Sequence, residues 1–89
     1  MKKKIAILGS TGSIGRSLFN ILKKDKKNFE IILLTANKNL RVLIDQVNSF
    51  SVKNIIINDY ESFIKAKKIF KKRNIKIYNN FENLRSIFK

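Results

Sequence analysis

Four short runs of apolar, largely β-branched residues recur along the chain, at Ile5–Leu8, Ile31–Thr35, Ile55–Ile57 and Ile75–Tyr78. Each is nearly continuous in apolar side chains, the pattern of a parallel strand covered on both faces. Between the runs the period changes. Ile14, Leu18, Ile21 and Leu22 stand at i, i+4, i+7 and i+8, which predicts a helix over residues 13–24 with those four on its packed face. Leu40, Leu43, Ile44 and Val47 repeat that spacing behind Asn39 as an N-cap. Asp59 is placed to cap a third helix with Phe63, Ala66 and Phe70 inward and its lysines outward. Asn80, with Glu82 in the first turn, opens a fourth short helix through Phe81, Leu84 and Ile87. The order β-α-β-α-β-α-β-α predicts an α/β fold, a parallel sheet of about four strands with helices on both faces. No linker or repeat interrupts it, so residues 1–89 form one domain. Right-handed crossovers favour a sheet built outward from the first strand, in the order 3-2-1 with the fourth strand on the other side, which puts a topological switch beside strand one.

Composition narrows the chemistry. The 89 residues hold no Cys, His, Pro or Trp, which removes disulfides, thiolate or imidazole metal ligands, a catalytic thiol and imidazole acid–base chemistry. A chain this short buries only about 60–65% of the surface its unfolded form exposes, enough for one modest core. The hydrophobic content of 44% is nevertheless too high for a disordered tail. The apolar run behind Met1–Lys4 ends after four residues at Gly9, too short for a signal peptide, and no other run is of membrane-spanning length, so a soluble cytoplasmic protein is expected.

The net charge of +14 has a bland source: Lys, Asn and Ile together make up 42 of the 89 residues, a bias that AT-rich coding produces by itself. The basic residues lie in separate segments, Lys2–Lys4, Lys23–Lys27, Lys65–Lys72 and Lys89, as solvated helix faces and ends do. A nucleic-acid binder clusters them on one face and stacks bases on exposed aromatics, whereas the seven Phe and two Tyr here sit mainly at core-like periodic positions. The positive field still favours anions.

All three glycines of the protein fall in the turn after the first strand, Gly9-Ser10-Thr11-Gly12-Ser13-Ile14-Gly15, three residues apart. A strand that turns sharply into a helix, a backbone that comes close to a pyrophosphate and a helix packed tightly on a sheet each need glycine. Amides of Thr11, Gly12, Ser13 and Ile14 at the positive end of the helix dipole would face the phosphates, with hydroxyls of Ser10, Thr11 and Ser13 beside them. No Lys follows Gly15, so the turn is not a Walker A loop. Between a strand and a helix near the start of a βαβ unit, it predicts a dinucleotide site in a Rossmann-like, partial doubly wound domain. The second strand ends Thr35-Ala36-Asn37-Lys38-Asn39. It lacks the carboxylate that would bind an NAD ribose, and Lys38 stands where the 2′-phosphate of NADP would lie.

Ile5–Gly15 followed by Ala36-Asn37-Lys38-Asn39 resembles the amino-terminal region of the 1-deoxy-D-xylulose 5-phosphate reductoisomerases. The resemblance implies an NADPH- and divalent-metal-dependent (Mg or Mn) enzyme that converts 1-deoxy-D-xylulose 5-phosphate to 2-C-methyl-D-erythritol 4-phosphate in isoprenoid synthesis. It implies a cofactor site made by Gly9, Ser10, Thr11, Gly12, Ser13, Ile14 and Gly15 at the pyrophosphate and by Asn37, Lys38 and Asn39 at the adenosine ribose and its 2′-phosphate. Many members carry Gly at the position of Asn37. The resemblance further implies that this chain is the cofactor-binding start of a longer, homodimeric enzyme, whose metal and sugar-phosphate ligands lie beyond the matched region. Asp25, Asp45, Asp59, Glu61 and Glu82 read as caps or surface charges, so the chain alone is expected to be inactive. Two alternatives are a NADP-binding part of a semialdehyde dehydrogenase-like enzyme, which shares the glycine turn but ends its second strand differently, and a small basic nucleic-acid binder.

Overall fold

The structure, a computed structural model, describes residues 2–88; Met1, and Lys89 with its charge, lie outside them. Four parallel strands, β1 (Lys3–Ile7), β2 (Phe29–Ala36), β3 (Asn54–Ile57) and β4 (Lys76–Tyr78), form one sheet. They are joined by α1 (Ser13–Lys23), α2 (Leu40–Ser49) and α3 (Tyr60–Ile69), a 3-10 turn at Lys26–Asn28 precedes β2, and α4 (Leu84–Ile87) follows β4. Each strand lies within a residue or two of its predicted run.

The sheet order corrects the prediction. It runs β1-β2-β3-β4, so β4 pairs with β3 and not on the far side of β1. Each crossover steps in the same direction, and α3 therefore lands on the face that α1 and α2 already cover, where Phe19, Leu43, Val47, Ala66 and Phe70 share one core with Ile31, Leu34 and Ile55. The opposite face carries α4 alone, with Leu84 and Ile87 against Ile32, Leu33 and Ile56. Periodicity identifies strands but not their neighbours, because a right-handed crossover can step either way from β3. Gly9 still follows the carboxyl end of β1, but β1 is an edge strand and no switch point lies among the described residues.

A bulge adjusts β2. Ile5 lies opposite Ile31 and Ala6 opposite Leu33, so Ile32 is the extra residue. Alternation then slips by one position, sending Ile31 and Leu34 to the three-helix face and Ile32 and Leu33 to the other.

Two helix starts follow their sequence signals. Asn39 Oδ1 accepts from the Val42 amide at 3.2 Å, and Asp59 Oδ2 accepts from the hydroxyl and amide of Ser62 at 2.7 and 3.1 Å. Those Ser62 bonds hold the Asp59 carboxyl below its ordinary pKa, with Lys38 adding to the effect. A group with a depressed folded pKa stabilises above its unfolded pKa and loses that contribution as pH falls through the folded one. Asp59→Ala should therefore lower the unfolding midpoint at neutral pH, and the gap from wild type should close as pH drops below the ordinary carboxylate range; a gap constant with pH would refute the cap.

Two helix details differ from the sequence reading. Asn80 does not open α4: its Oδ1 accepts from the Glu82 amide at 3.0 Å in a local turn, and the helix starts three residues later, behind Asn83. In α1, Ile14, Leu18 and Ile21 are exposed, at 87%, 40% and 64%, and only Leu22 of the predicted four is buried. The packed face is Gly15, Phe19 and Leu22. A scan of large apolar side chains passes over Gly15, yet Gly15 sets the helix's rotation, because it is the residue that abuts the turn before the helix.

Candidate functional site

The glycine turn is built from behind. At the end of β1 the chain must reverse into α1, and Gly9 does so at φ 68°, the only positive φ among the described residues. Its amide donates to Thr35 Oγ1 at 2.7 Å, and the Ser10 amide donates to the Thr35 carbonyl at 2.8 Å. The Ser10 carbonyl accepts from Gln46 Nε2 on α2 at 2.8 Å. Gly15 then brings α1 against the turn so closely that a Cβ there would lie 2.2 Å from the Gly9 carbonyl oxygen.

The front of the turn is left open. Gly12 donates to the Gly9 carbonyl at 3.1 Å, so its amide is taken, contrary to the expectation that it faces a phosphate. Among the described residues, the amides of Thr11, Ser13, Ile14 and Gly15 have no backbone acceptor. Gly12 occupies the N-cap position of α1 with no side-chain cap, and the first turn holds no acidic residue. Uncapped amides at an uncompensated positive dipole end suit an anion. Gly12, Ser13 and Ile14 are exposed and Thr11 is half-buried, whereas Ser10 is fully buried with its Oγ unpartnered, so its hydroxyl does not open onto that face. An open hollow of about 500 Å³ is bounded by Leu8, Gly9, Gly12, Ser13 and Ile14. A larger one of about 650 Å³ lies at the other end of the sheet, among Lys2, Lys4 and Lys53, but it has no glycine turn and Lys53 is already paired with Glu30 at 2.6 Å.

Asn37, Lys38 and Asn39 are exposed on the loop that leaves β2. The Leu40 amide donates to the Lys38 carbonyl at 2.8 Å, while Asn39 Oδ1 is committed to capping α2. Lys38 is close enough to Asp59 to help depress its pKa. Both candidate blocks thus lie at the carboxyl ends of β1 and β2, joined through Thr35. Thr35 and Gln46 were not singled out in the sequence. Their signal was there, as a hydroxyl closing an apolar strand and an amide on the buried Leu43/Val47 face of α2.

Among the described residues no three carboxylates come together. Asp59 caps a helix, Asp25 accepts from Asn28 Nδ2 at 2.8 Å, and Glu30 pairs with Lys53, so these groups do not form a divalent-metal site. No described helix is long and apolar enough to cross a membrane.

The family model described as 1-deoxy-D-xylulose 5-phosphate reductoisomerase matches residues 5–89. The chain is 57% identical over 86 residues to the reductoisomerase of Pelagibacter ubique, covering 97% of this chain and 22% of that protein. It is 39% identical over 74 residues to that of Clostridium perfringens, covering 83% and 19%. In fold it superposes on the Zymomonas mobilis reductoisomerase, solved in complex with NADPH, with a TM-score of 0.86 at 24% identity, over 98% of this chain and 23% of that one. The chain therefore spans about a fifth of the length of the curated relatives it matches.

Proposed function

The chain belongs to the 1-deoxy-D-xylulose 5-phosphate reductoisomerase family, and from that membership we propose that it holds NADPH as the cofactor-binding part of an enzyme that reductively isomerises 1-deoxy-D-xylulose 5-phosphate to 2-C-methyl-D-erythritol 4-phosphate. The observation that carries this reading is the glycine turn: four amides without backbone acceptors at an uncapped helix start, beside a left-handed turn that Gly9 adopts without strain. NADPH supplies the hydride when bound. The amides of Thr11, Ser13 and Ile14 hold the pyrophosphate, Gly12 keeps the approach clear, and Gly9, Ser10 and Gly15 shape the turn from beneath. Asn37, Lys38 and Asn39 hold the ribose and its 2′-phosphate, with Lys38 supplying the charge.

The full-length enzyme is read as a cytoplasmic homodimer using Mg or Mn, with the sugar phosphate and the metal held outside these residues. Hydride transfer needs a substrate held against the nicotinamide, and the described residues include no carboxylate cluster for the metal. The chain by itself is accordingly expected to bind cofactor without turnover.

Titration with NADPH and NADH tests the reading. Wild type should prefer NADPH. Removing a charge-assisted contact to the 2′-phosphate should cost about tenfold in NADPH affinity in Lys38→Ala, with NADH changed by less than about twofold. Equal affinity of wild type for the two cofactors, or an equal loss for both in the variant, would overturn the role of the 2′-phosphate loop.

A further inference from the structure

We propose that Thr35 and Gln46 are positioning residues that hold the pyrophosphate turn at a set distance from the 2′-phosphate loop, so that one dinucleotide reaches both; this rests on the NADPH reading above. Thr35 takes the amides of Gly9 and Ser10 with its side-chain and main-chain oxygens, and two residues later the chain enters Asn37-Lys38-Asn39. Gln46 grips the same turn from α2, the helix that Asn39 caps. The two blocks are therefore tied together by hydrogen bonds as well as by the chain. A ligand that bridges two subsites gains affinity from the fixed spacing between them, and a ligand that fills one subsite does not.

The chemistry at Gln46 argues against a purely structural role. Gln46 is 5% exposed on the face that Leu43 and Val47 bury, and no group among the described residues pairs with its Oε1 or with the buried Ser10 Oγ. An unpartnered buried acceptor costs stability, and an apolar side chain of that size would not incur the cost. What the amide provides in return is its single bond to the Ser10 carbonyl, which places the turn.

The test compares NADPH with adenosine 2′-monophosphate, which has the 2′-phosphate but no pyrophosphate, on wild type, Gln46→Met and Thr35→Val. Each variant should bind NADPH about tenfold more weakly, the scale of one lost positioning hydrogen bond. Each should keep its affinity for adenosine 2′-monophosphate within about twofold, and Gln46→Met should melt close to wild type. Unchanged NADPH affinity in both variants, or equal losses for the two ligands, overturns the proposal. If Gln46→Met fails to fold, that also counts against it, and Thr35→Val carries the same ligand comparison. A wild type that binds adenosine 2′-monophosphate but gains nothing from NADPH removes the NADPH reading and this inference together, whereas a wild type that gains while neither variant loses removes the inference alone.

Discussion

Gly15→Ala is expected to lower the unfolding midpoint by about 10 °C or more in a thermal melt. The added methyl would lie 2.2 Å from the Gly9 carbonyl oxygen, 2.7 Å from Ser10 Cα and 2.9 Å from the Gly9 carbonyl carbon. All three are main-chain atoms of a turn pinned by Thr35 and Gln46, so no side chain can rotate out of the way. Either α1 lifts off the turn or the turn breaks its bonds to Thr35. Forcing an extra methyl into a packed site costs about 1–3 kcal/mol and occasionally more, and in a domain of this size each kcal/mol is worth about 4–8 °C. Alanine is otherwise the better helix former, by about 1 kcal/mol, so a variant that melts at or above the wild-type temperature would show that the approach of α1 to the turn is looser than described.

Gly12→Val should do the reverse, leaving the fold nearly intact and reducing NADPH affinity by a hundredfold or more, a loss of about 2.7 kcal/mol. Gly12 sits at φ −79° and ψ 172°, extended backbone that valine adopts readily. A Cβ there meets only the Gly9 carbonyl oxygen at 3.5 Å, an ordinary contact, and otherwise opens into the hollow in front of the turn. The branched side chain would then occupy the approach to the unpaired amides of Ser13 and Ile14. A circular dichroism melt and a fluorescence titration of the same sample separate the two effects. Affinity within threefold of wild type would mean that the pyrophosphate does not pass over Gly12.

Placed side by side, the two glycines show what could be read before the structure. Their spacing named the turn, and the apolar runs and the caps at Asn39 and Asp59 located the strands, α2 and α3, because such signals act locally, whereas Asn80 gave a false start for α4. The missing carboxylate after β2 is a matter of residue type at a fixed offset, and the structure leaves Lys38 exposed on the loop that follows that strand. What stayed hidden depends on partners distant in sequence. The rotation of α1 follows from the contact of Gly15 with Gly9 and Ser10, so the exposed Ile14 and Ile21 looked like core. The position of β4 depends on which of two free edges, that of β1 or that of β3, it joins, and no local pattern encodes that. Gln46 resembled any polar residue on a helix until its amide was found on the Ser10 carbonyl, 36 positions earlier.

The order of the sheet also bears on how the domain comes into being. Every strand pairs with the one before it in the chain: Lys3 with Phe29, Leu34 with Ile55, Asn54 with Lys76. No strand has to wait for a partner beyond the next crossover, so each pairing closes over one βα unit, the smallest closure a parallel sheet allows. On the ribosome, β1 and β2 can zip together before β3 has left the exit tunnel. The glycine turn is made early, at residues 9–15, but its backing arrives in two instalments, with Thr35 and then Gln46. Competence to hold a cofactor should therefore ripen during translation at the moment α2 clears the exit tunnel, well before β4 closes the sheet.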